Sequence, residues 1–215
     1  MDMILWEQRV SSLLYQLTEQ KHGHPFGANV LRDAASPTQL TELRRRLPGR
    51  EDLADFYGRH DGLSWPDVWN GYFLHGLHLV LAADKRGEPN AVLGVDAGAI
   101  LVLGSDGGGG RFAERLDSRE IAYMPPGLVR QGGYDNSDRR TRIVSSDFGA
   151  FLERLADDLD AFVRDDRSWA FHGSPAAQLV QTSLEDAILQ PRIALESFKE
   201  ILDGTPQPVA MNEEF

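Results

Sequence analysis

The stretch from Ala99 to Phe112 constrains the fold more than any other part of the chain. Ile100, Leu101, Val102 and Leu103 form an apolar run that stops at Gly104. Ser105 and Asp106 follow, then four consecutive glycines, then Arg111 and Phe112 at the head of a second short run. Runs of strand-forming residues broken by such a cluster predict a β-hairpin that turns within Ser105–Gly110. Glycine enters the φ > 0 conformations that tight hairpin turns use.

More strands are expected on either side. Trp69–His75, Leu77–Ala82, Ala91–Val95, Ala99–Leu103, Arg111–Leu116 and Ile121–Met124 carry the pattern, and Pro125-Pro126 closes the series. Ala28 to Leu31 reads as one short extended piece. Gly132 to Arg142 is polar and contains glycine, which predicts a mobile loop.

Helices flank this block. Trp6, Val10, Leu13, Leu14 and Leu17 recur at helical spacing within Ile4–Leu17. Ser36-Pro37 with Gln39 has the form of a capping box, and Leu40, Leu43 and Leu47 form the apolar face behind it. A further helix is expected from Arg50 to His60, with Gly62 as its stop. Ser146 is expected to cap a helix from Asp147 to Arg164. Its residues Phe148, Phe151, Leu152, Leu155, Leu159, Phe162 and Val163 fall on an arc of about 120°. Glu153, Asp157 and Asp160 fall on the opposite face, with Arg164 beside them. Ser174-Pro175 opens another helix to Gln190, Arg192 to Asp203 continues helically, and a disordered acidic tail is expected to follow.

Helices first, strands in the middle and helices again predict an α+β fold: a single, largely antiparallel twisted sheet with packed helices, plus a C-terminal helical extension. The expected division is an α+β domain over residues 1–167 and the extension over 168–215.

Several of these landmarks stand in a particular order. Leu47-Pro48 precedes Leu53, Phe56, Tyr57 and Asp61-Gly62. Trp69-Asn70-Gly71-Tyr72 comes next, then the glycine hairpin, then Ile143 to Phe148 with Phe151-Leu152. This order resembles the SUKH superfamily, the Smi/Knr-like proteins, over roughly residues 40–163. The resemblance implies a twisted sheet with helices against it and a protein without catalytic activity. Bacterial members of the family look like immunity proteins that neutralise a cognate toxin, often a nuclease. Fungal members act as regulatory scaffolds.

The chemistry-bearing residues give no reaction. The chain has no cysteine, so disulfides and thiolate sites are excluded. Gly107–Gly110 match neither phosphate-loop nor dinucleotide patterns, and a strand rather than a helix is expected after them. His75 and His78 lack a third metal ligand, and His60 beside Asp61 reads as a helix end. Ser105 and Ser174 lie outside any nucleophile motif. No catalytic residue, metal or cofactor is therefore assigned.

The net charge of −11 disfavours nucleic acid and anionic membranes and favours a basic protein partner. Only three of the 22 basic residues are lysines, a bias of GC-rich bacterial coding. No stretch of eighteen apolar residues and no signal-peptide pattern occurs, so a cytoplasmic location is expected.

The resemblance, joined to the acidic charge, thus implies an immunity protein that binds a basic toxin domain stoichiometrically. Candidate contacts are Trp65, Trp69, Glu153, Asp157 and Asp160, and the C-terminal helices are a candidate homodimer contact. The tryptophans read first as core and second as the lining of a cleft. The alternative function is a small-ligand or enzymatic pocket near Trp65, Trp69 and Tyr72, or a regulatory scaffold.

Overall fold

A computed structural model describes residues 1–20, 27–83, 87–138 and 140–164. The expected extension over 168–215, with its two helices and tail, lies outside these residues, as do His22 and His24.

The sheet is built outward from its longest strand. β5 (Gly98–Asp106) carries Leu101 and Leu103 on one face and Ile100 and Val102 on the other. It pairs antiparallel with β6 (Arg111–Arg115) through the predicted hairpin. β6 pairs with β7 (Ile121–Met124), and β7 with β10 (Arg142–Ser145), both antiparallel. On its other edge β5 is shared. Gly104, Ser105 and Asp106 pair with β3 (Tyr72–Leu74), which leads through β2 (Leu63–Trp65) to β1 (Val30–Leu31). Gly98 and Ala99 pair instead with β4 (Ala91–Gly94), which runs parallel to β9 (Gly133–Asn136) and so connects to β8 (Val129–Arg130). Every ladder except β4–β9 is antiparallel, so the α+β expectation holds.

The two faces of β5 feed two cores. Leu103, Phe112, Ile121 and Tyr123 pack under the helices. These are α1 (Met3–Glu19), α2 (Pro37–Arg46), α3 (Glu51–Tyr57), α4 (Leu77–Leu81) and α5 (Phe148–Arg164). Phe56 meets Trp6 and Phe148 edge-on, at ring separations of 6.1 and 5.4 Å, which ties α1, α3 and α5 together. On the opposite face Val92 and Tyr134 of the β4–β9 ribbon close over Ile100, Val102, Ala113 and Met124.

Local chemistry explains where the structure departs from expectation. Leu77–Ala82 was expected as a strand, but Leu77–Leu81 is helical. The Leu77 N–H donates to Asp61 Oδ1, so a carboxylate from the end of the α3 segment anchors the first turn. Gly132–Arg142 was expected as a mobile loop. It contains β9 instead, with Tyr134 fully buried and its hydroxyl donating to the Pro125 carbonyl at 2.9 Å. Asp147, not Ser146, caps α5: its Oδ1 accepts from the Ala150 N–H at 2.7 Å, while Ser146 donates to Asp147. α3 ends at Gly58 rather than Gly62. Gly62 serves the sheet, since a Cβ there would strike the Leu74 carbonyl. The Ser36–Gln39 capping box forms as expected.

Candidate functional site

Trp69 and Tyr72 meet Asp158 beneath α5. Trp69 sits in the turn before β3 with φ of 56°. Its indole N–H donates to the Asp158 carbonyl at 3.2 Å. The Tyr72 hydroxyl donates to Asp158 Oδ2 at 2.9 Å, and Asp158 is completely buried. Asp158 is the one fully buried charged residue of α5; it lies just beyond the edge of the apolar arc, where periodicity alone does not decide burial. Burial first, and the Asp158 charge second, push the Tyr72 phenol well above its usual range.

The glycine turn is clamped by a second carboxylate. Asp106 Oδ1 accepts from the N–H groups of Gly108 and Gly110 at 2.9 and 2.7 Å. Its Oδ2 accepts from the Tyr123 hydroxyl at 2.8 Å. A Cβ on Gly107 would collide with the Asn70 carbonyl, and one on Gly110 with the Tyr123 hydroxyl. The glycines allow close backbone approach; the Gly108 and Gly110 N–H groups are already bonded to Asp106 and the Gly107 N–H to the Gly71 carbonyl. Trp69, Tyr72 and Asp106 are thus committed to the fold.

The same geometry corrects the placement of the candidate aromatics. Trp65 is 0% exposed, Trp69 8% and Tyr72 1%. Trp69 stacks edge-on against Phe162 of α5 at 5.6 Å. All three are core residues, the first of the two readings for the tryptophans, and neither Trp65 nor Trp69 is open to a partner; α5 covers Trp69 and Tyr72.

Glu153, Asp157 and Asp160 are brought together, but not as an open carboxylate face. α1 runs alongside α5, and Arg9 inserts among all three, with contacts of 3.7, 2.8 and 3.4 Å. Arg164 adds a two-pronged pair to Asp160 at 2.8 Å. Asp160 is mostly covered, whereas Glu153 and Asp157 keep 46 and 61% of their side chains exposed. The ridge is thus three carboxylates against two guanidinium groups, with its free negative charge at Glu153 and Asp157.

A third cluster gave no motif in the sequence. Glu114 of β6 is 1% exposed and points beneath α3. Arg50 approaches it at 3.0 Å and Arg119 at 3.9 Å, and Arg119 also pairs with Asp52 at 2.7 Å. Glu114 Oε2 has no hydrogen-bond partner among the described residues. Burial pushes its carboxyl up to about 7; Arg50 and Arg119 oppose the shift and Asp52 adds to it. Beside this cluster, Arg44, Glu51, Asp52, Ala54, Asp55, Gly58 and Arg59 line an open polar cleft of about 750 Å³.

The histidines considered as ligands have other surroundings. His75 Nε2 lies 3.3 Å from Ser105 Oγ, and His78 is exposed on α4. Among the described residues no group of three or more His, Asp or Glu side chains is arranged to hold a metal ion. Among them, too, no helix is long and apolar enough to cross a membrane. Compared with models of known protein families, the chain matches none, and it matches no curated protein.

Proposed function

We propose that this chain is a SUKH-like, non-catalytic bacterial protein that acts in the cytoplasm as an immunity protein. It neutralises a basic toxin domain, such as a nuclease, by stoichiometric association. The acidic ridge on α5 carries the reading: Glu153 and Asp157 stand exposed on a chain of net charge −11. Carboxylates so placed can occupy a basic cleft where phosphates would lie. The family part of the reading rests on the order of the resembling residues; three of them, Trp69, Tyr72 and Asp106, take part in buried hydrogen bonds. The nucleic-acid and membrane classes stay disfavoured by charge.

The test is a titration against the product of a toxin gene adjacent to this one, followed by calorimetry at rising salt. One-to-one binding should weaken with salt, and the Glu153→Lys/Asp157→Lys double variant should slow association about tenfold with an unchanged fold. Asp160 is left intact because Arg9 and Arg164 depend on it. Binding indifferent to both salt and the reversals would remove the ridge from the mechanism.

A further inference from the structure

Met3, Trp6, Val10, Leu13 and Leu17 of α1 face the core. On the outer face, every exposed position from Ile4 to Thr18 is uncharged. Glu7 and Arg9, the charged residues of that span, turn sideways toward Arg59 and toward α5. Tyr15 and Leu5, at 66 and 62%, are the most exposed large apolar side chains among the described residues, and Ile4 beside Leu5 is 51% exposed. Charge depletion together with aromatic and aliphatic side chains is the composition of a contact surface.

We infer that residues 192–203 of the same chain dock on this face as an amphipathic helix, apolar side inward. Three observations select that occupant. First, the chain leaves the described residues beside α1. Trp6 Nε1 donates to the Leu152 carbonyl at 2.8 Å, and Gln20 Nε2 donates to the Val163 carbonyl at 2.6 Å. The two helices therefore run in one direction and end together, so the chain after Arg164 starts at the C-terminal end of the uncovered face. Residues 165–191 can reach ~90 Å when extended, against about 25 Å for the length of α1. Second, the sequence pattern suits the face. At ~100° per residue, Ala194, Leu195, Phe198, Ile201 and Leu202 fall on one arc of about 120°. Arg192, Glu196, Lys199, Glu200 and Asp203 fall together on the other side. An apolar arc meets an uncharged face, and the charged side stays in water.

Third, the area favours a tethered occupant. A strip about 25 Å long and about 10–12 Å wide stays well under the ~800 Å² per partner that a separate molecule needs for a stable complex. A segment of the same chain arrives at a high effective concentration and needs less contact. A second copy lacks that advantage and is repelled by a net charge of −11. Docked in this way, residues 192–203 shield Leu5 and Tyr15 from water and close the outer face of α1 to other partners.

A nitroxide on Gln8→Cys tests this in the full chain, which has no other cysteine. The amide signals of residues 192–203 should lose most of their intensity, equally at low and high protein concentration. A nitroxide on Ile143→Cys should leave them intact, since Ile143 alternates with Val144, which belongs to the helix-covered core. Phe198→Glu removes an apolar ring and would bury a charge, so it should weaken docking about tenfold or more and restore the signals. Glu200→Gln, on the charged side, should leave the loss unchanged. Ser12→Cys replaces Gln8→Cys if the latter disturbs the spectrum of α1. Full signals with the label on α1 would overturn the inference. So would a loss that survives Phe198→Glu. So would a loss passed to isotope-labelled protein from separately spin-labelled protein, which would make a second copy the occupant.

Discussion

Asp106 and Glu114 lie on the two strands of one hairpin, and both are buried, yet the fold treats them in opposite ways. Asp106 spends its two oxygens on two backbone N–H groups and one phenol. Glu114 faces two guanidinium groups with one oxygen and leaves the other without a partner among the described residues. A buried carboxylate whose acceptors are filled by fixed donors is a structural part. One held mainly by charge keeps much of its desolvation cost and becomes easy to protonate. Hydrogen-bond saturation, more than depth of burial, separates the two.

The largest effect should come from breaking the saturated site. Asp106→Leu leaves the Gly108 and Gly110 N–H groups and the Tyr123 hydroxyl buried without an acceptor. Hydrogen bonds to charged groups contribute about 1.5–3 kcal/mol each, and the Gly108 bond is only partly buried, so a loss near the low end of the sum for three, about 4.5 kcal/mol, is expected in urea unfolding. Asp106→Asn should recover roughly half of it, because the amide oxygen still accepts from the glycines. A loss below about 1 kcal/mol for Asp106→Leu would show that the clamp is incidental to the turn.

The same contrast explains what was legible in the sequence. The glycine hairpin, the capping box and the arc of α5 are local patterns, and each appears where its residues predicted it. The α4 segment looked like a strand because its helix is anchored by Asp61 from another element. β9 looked like a loop because its partner is a parallel strand distant in sequence, and a polar strand gains its burial only from that pairing. Asp158 and Glu114 were invisible for the same reason, since tertiary contacts alone turn a surface-type residue inward. The ridge of Glu153, Asp157 and Asp160 was legible as a helix face, but Arg9 reaches it from the far end of the chain.

A pH series sharpens the comparison at an intermediate scale. The Glu114 carboxyl lies near 7 in the folded protein, above its ordinary value of 4.5. A raised carboxylate binds its proton more tightly in the folded state. Its contribution is therefore fully present below the unfolded value and is lost as pH rises through about 7, by at most about 3 kcal/mol. Asp147, Asp135 and Asp117 are held below their ordinary range, first by the Ala150 N–H, the Ser137 hydrogen bonds and the Arg115 side chain respectively. Their stabilisation is present above the ordinary aspartate range and fails as pH falls below it. Stability should thus peak near the unfolded glutamate value of 4.5, decline up to about pH 7 and level off above it. In Glu114→Gln this decline should flatten while the acid limb remains. An unchanged decline in urea titrations of the variant would mean that Arg50 and Arg119 hold Glu114 ionised throughout.

The smallest effect belongs to the carboxylates that remain in water. Glu153, Asp157 and Asp160 share Arg9, whose side chain is 37% exposed. Solvent screens such pairs, and exposed ion pairs typically contribute less than about 1 kcal/mol. Arg9→Ala should therefore lower stability by under about 1 kcal/mol, and the difference should shrink further in high salt. It should also uncover negative charge on α5, so binding of a basic partner should quicken while the fold barely weakens. A thermal melt paired with stopped-flow association reads both at once. Should Arg9→Ala instead cost as much as Asp106→Leu, the α1–α5 clamp would belong with the saturated buried sites. The division between carboxylates that build the fold and carboxylates available to a partner would then fail.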